Sequence, residues 1–229
     1  MKVGIIQSNY IPWRGYFDLI DQVDLFVFHD DLQYTKNDWR NRNKILTARG
    51  PIWLTIPCGS NEKRLICEVE IADRKWQRRH WNQICANYAN ASFFGEFAPF
   101  FEDFFLSDMW NSLSELNQYL IERISREFLG STTEFLDSRE LKLEKKKGER
   151  VLEILDKVNA GSYLSGPAAK DYIAEEEFEA AGIELGWMDY SHYLPYKQVF
   201  DGYREDVSIV DLLFNVGREA REVAFGRNG

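Results

Sequence analysis

The chain has 229 residues, of which 45% are hydrophobic, and carries a net charge of −9. That length and apolar content suit one packed α/β domain with a helical elaboration. The acidic balance argues against a duplex nucleic-acid binder, which presents a basic stripe.

Cys58, Cys67 and Cys85 show no CxxC spacing, so neither a disulfide framework nor a zinc site is expected. The N-terminus has no signal-peptide pattern. No apolar run approaches the ~20 residues of a membrane span, and a cytoplasmic protein is expected. Residues 2–7 predict a buried first strand. Tyr16, Phe17, Leu19 and Ile20 then supply an apolar helical face. Residues 23–28 predict the second strand, and the spacing suits a right-handed strand–helix–strand crossover. Gly50-Pro51 marks a connection. Residues 52–56 follow as a third strand, and residues 65–71 as an additional one. Trp76, His80, Ile84 and Tyr88 recur at four-residue spacing and predict a helix over 75–88. Phe97, Phe100, Phe101, Phe104 and Phe105 form a second aromatic stripe of the kind that packs a core. Residues 111–128 predict a longer amphipathic helix ended by Gly130. Residues 133–136 return to the sheet, and residues 149–158 predict a helix. A short strand at 162–164 leads into a helix from Pro167. Residues 183–188 form another strand, 196–200 are extended or loop, and 207–214 begin a terminal helix capped by Asp206 or Ser208. The predicted fold is a mostly parallel, Rossmann-like α/β sheet with flanking helices and a helical middle segment, about 75–130. It forms one domain over 1–229.

The first two strands both end in polar groups, and in open α/β sheets that carboxyl edge binds ligands. His29, Asp30 and Asp31 are the acid/base candidates. Adjacent carboxylates repel, burial raises a carboxyl pKa, and histidine exchanges protons near neutral pH. Neighbours on an extended chain point to opposite faces, so one carboxylate of the pair reaches a site. No metal site is expected there, because the identified ligands are too few. Trp39, Arg40, Asn41, Arg42 and Asn43 form a dense recognition cluster. Arginine offers a fork to phosphate or carboxylate, and asparagine both donates and accepts. The structural alternative is an ion-pair cluster with Asp30, Asp31 and Asp38. Gln7 and Asn9 follow strand one, though Asn9 equally suits turn chemistry. Tyr10 and Trp13 either stack on a ligand or staple the first helix, and Tyr34 is a candidate acid or hydroxyl anchor. Ser165 and Lys170 flank a predicted helix N-terminus, which favours anions; a turn with a helix cap is the structural alternative. His192 is a further proton-transfer candidate. The basic runs at 74–79 and 142–147 read as solvated helix faces.

These residues resemble the WbqC-like family. The pattern runs Ile6-Gln7, Tyr10-x-Pro12-Trp13-x-Gly15-Tyr16-Phe17, Val23-Asp24-x-Phe26-Val27, Asp30-Asp31-x-Gln33-Tyr34 and Asn41-Arg42-Asn43-Lys44-Ile45. It continues with Tyr163-Leu164-Ser165-Gly166, Phe178, Gly182-Ile183, Tyr196-x-Gln198-x-Phe200 and Ser208-Ile209-x-Asp211-x-x-Phe214-Asn215. Ser8-Asn9 stands where many members carry a proline after the glutamine. The resemblance implies a setting in bacterial surface-polysaccharide, especially O-antigen, biosynthesis, and it assigns no catalytic residues. Combined with the site chemistry, it leads to the expectation of a transferase. The enzyme would move a small acyl or aminoacyl group onto a nucleotide-linked amino sugar, with an acyl or aminoacyl carrier as a partner. Asp30 or Asp31, helped by His29, would take the proton. Arg40 or Arg42 would bind the anionic part, Gln7, Tyr34, Asn41 and Asn43 would read polar groups, and Trp13 or Trp39 would stack. The sequence names no cofactor. Nucleotidyl transfer with Mg²⁺ on a carboxylate and glycan binding without chemistry are the alternatives.

Overall fold

A computed structural model describes residues 1–226 apart from Ala72, Arg74, Asp108, Lys147 and Tyr172. Arg74 and Lys147 of the two basic runs therefore lie outside the described residues. The elements run β1 (Lys2–Ile6), α1 (Arg14–Asp21), β2 (Leu25–Phe28), β3 (Arg42–Thr47), β4 (Gly50–Thr55), α2 (Lys75–Tyr88), α3 (Phe94–Leu106), α4 (Leu113–Arg123), β5 (Glu134–Asp137), α5 (Gly148–Lys157), β6 (Ser162–Ser165), α6 (Glu175–Ala180), β7 (Glu184–Trp187), α7 (Ile209–Val216) and α8 (Ala220–Phe225).

Five of these strands make one parallel sheet in the order β5-β2-β1-β6-β7. The expected Rossmann-like architecture is therefore present. Chain order reverses between β1 and β6, which makes the space beyond their carboxyl ends the topological switch point. The central strands read as unbroken apolar runs because both faces are covered. Phe26 and Phe28 join a large core with α1 residues Phe17, Leu19 and Ile20. Leu25 and Val27 join a second core with Val3, Ile5, Ile154, Leu155 and Phe178. Each fully buried side chain of this size contributes roughly 1.5–3 kcal/mol by leaving water. The helical middle segment extends the first core: Trp76, Phe101, Phe104 and Phe105 are all buried in it.

Four sequence expectations need correction. The strand expected at 52–56 is β4, and it pairs antiparallel with β3 in a separate two-stranded sheet. Gly50, at φ +103°, gives the turn between them a backbone that other residues rarely adopt. The segment 65–71 is no strand. It makes isolated bridges from Leu65 to Gln33 and from Glu70 to Ser112 around a 3₁₀ turn, Ile66–Glu68. The helix expected over 111–128 starts at Leu113 and leaves α geometry after Arg123 in a π turn, Ile124–Phe128. The helix expected from Pro167 is a 3₁₀ turn, Pro167–Asp171, which ends before α6 begins.

Asp211 on α7 anchors the C-terminal segment to the hairpin side of the molecule. It is fully buried and accepts hydrogen bonds from Tyr88 Oη (2.8 Å), Tyr196 Oη (2.8 Å) and Gln198 Nε2 (2.7 Å). Tyr88 Oη in turn accepts from the Leu46 backbone N–H of β3. Burial pushes the Asp211 carboxyl above its ordinary range, and the Tyr196, Tyr88 and Gln198 donors pull it partly back. Asp211→Ala strands those donors, so a loss of about 2–4 kcal/mol is expected in urea unfolding. An unchanged urea midpoint would show that the network holds nothing in place.

Candidate functional site

The carboxyl ends of β1 and β2 meet at Asp30. Its fully buried carboxylate accepts from the Ser8 backbone N–H (2.7 Å), from Gln118 Nε2 (3.0 Å) and from Ser114 Oγ in the first turn of α4. Burial pushes the Asp30 carboxyl up, and the Ser114, Ser8 and Gln118 hydrogen bonds oppose that shift. Asp31 turns elsewhere, as alternation along an extended chain requires. It accepts from Ser138 Oγ (2.6 Å) and pairs with Arg150. His29 Nε2 accepts from Arg150 Nε (3.1 Å) and lies 3.7 Å from Asp31. Burial lowers the His29 imidazole to about 4; Asp31 opposes this and Arg150 adds to it. His29 and Asp31 thus share one polar cluster with Arg150, Asp30 sits in another, and each of the three is engaged by protein groups.

The loop after β1 is held by different atoms. Asn43 Nδ2 donates to the carbonyls of Tyr10 (3.1 Å) and Ile11 (2.9 Å). Between them, Ile11 is pinned at φ +35°, a costly conformation for a β-branched residue. Tyr10 N–H donates to the Trp39 carbonyl (2.9 Å), and Tyr10 Oη meets His80 Nδ1 at 2.8 Å. Trp13 lies across Gly15, where an added Cβ would sit 2.6 Å from Cη2 of its indole. Its ring packs edge-on against Tyr190 (4.9 Å between centroids).

Beside this loop opens a hollow of about 310 Å³, lined by Asn9, Pro12, Trp13, Trp39, Asn43, Glu205 and Asp206. The volume falls at the lower end of small-molecule pockets, ~300–1,000 Å³. Asn9 Oδ1 is buried with no hydrogen-bond partner among the described residues, and a buried orphan acceptor favours a ligand or water donor. Burial alone would push the Asp206 carboxyl up, but hydrogen bonds from Arg204 and Lys44 hold it below the ordinary range.

Four of the predicted residues, Asn9, Trp13, Trp39 and Asn43, therefore line one hollow. Gln7 is half-buried at the end of β1 and accepts from Tyr16 Oη through its backbone carbonyl. Asn41 is a brace, donating to the Ile56 carbonyl (2.9 Å). Tyr34 is fully buried under Arg64, and burial raises its phenol well above the ordinary value. Arg40 pairs with Asp38 at 3.4 Å, the one ion pair of the expected cluster present among the described residues. Arg42 stacks on Trp53. Ser165 is buried against Tyr163 Oη, and Lys170 lies over Trp187; neither lines the hollow. His192 Nε2 bonds the Phe225 carbonyl (2.9 Å). Glu205 escaped sequence reasoning, and Asp206 entered it only as a candidate helix cap, not as a site residue. They carry no local signal, because Asp206 reaches the site through Lys44, 162 positions away.

Among the described residues, no group of three or more His, Cys, Asp or Glu side chains is placed to hold a metal ion. Among them, too, no helix is long and apolar enough to cross a membrane. A model of the WbqC-like protein family matches residues 7–223. The chain is also similar to the uncharacterized protein Rv1507c of Mycobacterium tuberculosis, 43% identical over 221 residues, which cover 96% of this chain and 95% of that protein. No solved structure matches it at a significant level.

Two measurements test the loop's supports. Asn43→Asp replaces the donating amide with an acceptor facing two carbonyls, and about 2–4 kcal/mol of stability should be lost; a variant as stable as wild type would rule out the brace. His80 is the second support. Burial lowers its imidazole to about 4; the Thr55 backbone hydrogen bond opposes this and Arg79 adds to it. An unfolded histidine titrates near ~6.5. Between these values the unfolded chain binds the extra proton, so stability falls as the pH drops from ~6.5 through about 4. His29 acts in the same sense. His80→Gln should flatten the pH profile of the urea midpoint in that window, and superimposable profiles would contradict a buried neutral ring.

Proposed function

The chain belongs to the WbqC-like protein family, and we propose that it is a sugar-modifying transferase of bacterial surface-polysaccharide biosynthesis, O-antigen included. In this reading it transfers a small acyl or aminoacyl group onto an amino sugar held in the hollow. One observation carries the proposal: two indoles, two carboxylates and a buried amide oxygen with no partner among the described residues surround a space of about 310 Å³. The C–H face of a pyranose packs on an indole, while its hydroxyls and amine donate to the acceptors around it.

The sugar amine attacks the carbonyl carbon of an acyl ester or thioester supplied by the carrier. The new C–N bond forms as the bond from that carbon to the leaving oxygen or sulfur breaks. The nitrogen proton passes to the exposed Glu205 carboxylate, and the leaving alkoxide or thiolate is protonated by water. Holding the amine against the acyl carbon supplies much of the rate. Asp30 acts on this chemistry through Ser8, by fixing the loop that carries Asn9 and Trp13. The second reading is glycan binding without turnover. It is favoured by the fact that Asp30, the most shielded carboxylate of the predicted acid/base group, does not line the hollow.

Titration of glucosamine followed by tryptophan fluorescence tests the site. Trp13→Ala and Trp39→Ala should each weaken binding by about tenfold, the worth of a stacked ring. Glu205→Gln should retain binding yet slow acyl transfer about 100-fold or more. Sugar binding without product from any acyl ester or thioester would favour the glycan-binding reading. If no amino sugar binds, both readings fail.

A further inference from the structure

We propose that the β3–β4 hairpin carries a nucleoside diphosphate subsite continuous with the hollow, with Arg42 on the phosphates and the indoles of Trp53 and Trp39 on the base. The proposal rests on the sugar reading of the hollow and makes the amino sugar nucleotide-linked.

Alternation along β3 sends Asn43 inward to brace the loop and Arg42 and Lys44 to the opposite face. Lys44 pairs with Trp53 across the hairpin. The Arg42 guanidinium carbon stands 4.2 Å from the Trp53 ring centroid, and Lys44 Nζ stands 5.0 Å from it. Trp53 and Trp39 meet at 5.4 Å between centroids, tilted by 46°. They remain 41% and 43% exposed. Two large rings in contact at the surface signal a binding face more than a core defect.

The charges of this face are unequal. Arg40 pairs with Asp38 and Lys44 with Asp206. Arg42 pairs with no carboxylate among the described residues, and its Nε is buried without a hydrogen-bond partner. With Nε buried, it is the terminal pair of Nη groups of the stacked guanidinium that the proposal assigns to the phosphates, an end that takes two phosphate oxygens at once. The indoles beside it accept a base of any identity, since every base has a π face. In a chain of net charge −9, one uncompensated cation among Arg40, Arg42 and Lys44 suits a short anion better than a long polyanion.

Continuity with the hollow is direct. Trp39 and Asp206 line it. Trp39 touches Trp53, and Asp206 holds the Lys44 ammonium that sits over Trp53. In the proposed arrangement a sugar in the hollow is linked to a diphosphate that runs along the hairpin.

Fluorescence and calorimetric titrations with glucosamine, inorganic pyrophosphate, UDP and GDP decide the matter. At least one of UDP and GDP should bind about tenfold or more tightly than pyrophosphate, because the ring adds stacking to the charge. Arg42→Gln, at a half-buried position, and Trp53→Ala, at an exposed one, should each weaken nucleotide binding about tenfold and leave glucosamine affinity unchanged; their circular dichroism should match wild type. The subsite is overturned if neither nucleotide binds more tightly than pyrophosphate, or if both variants bind the nucleotide as wild type does. Glucosamine binding without nucleotide binding removes the subsite and keeps the sugar reading. Nucleotide binding without glucosamine binding does the reverse, and the absence of both removes both.

Discussion

Asp30 accepts hydrogen bonds from Ser8, Ser114 and Gln118 inside the protein, away from water. An ionised carboxylate there would be costly by several kcal/mol without such partners. With them it becomes a junction. It joins the loop after β1 to the end of β2 and to the N-terminal turn of α4, where orphan helix donors and the positive end of the dipole favour a carboxylate. Its own backbone carbonyl accepts from Cys67 N–H, which adds the 3₁₀ turn to the same knot. The first of these segments carries Asn9, Pro12 and Trp13, which form one side of the hollow.

A second fastening brings the other wall. Arg14 at the start of α1 is buried and donates to the Leu194 carbonyl (2.9 Å) and to Tyr203 Oη (3.0 Å). Tyr193 Oη donates to Asp18 Oδ2 (2.6 Å) on the same helix. The irregular segment between β7 and α7 is thereby strapped over α1, and its far end delivers Glu205 and Asp206 to the hollow. Asp211 ties the same segment down through Tyr196 and Gln198. The C-terminal motif residues are thus linked to the N-terminal ones by packing and hydrogen bonds.

The three inner strands β1, β2 and β6 were legible because both their faces are buried, which leaves short apolar runs bounded by polar groups. The aromatic helices were legible from their spacing. The hairpin was only half legible. Residues 42–47 look polar because Asn43 faces inward, and an inward asparagine is stable only where the Tyr10 and Ile11 carbonyls await it. The segment 65–71 has strand-like residues but meets its neighbours at single bridges, and propensity without a partner ladder makes no strand. At the site, residue types were legible and their directions were not. Asn41 and Asn43 are alike in sequence, yet one closes the hairpin base and the other lines the hollow.

The sequence by itself determined the parallel α/β class, the polar ends of its first two strands and the family, since apolar periodicity and motif spacing are local and survive in one dimension. Only the tertiary structure decided which polar side chains face open space. That choice rests on bonds between positions 84 apart, as for Asp30 and Ser114, or 162 apart, as for Lys44 and Asp206. A buried polar group takes whichever partner the fold brings within about 3 Å, and no local pattern encodes that neighbour.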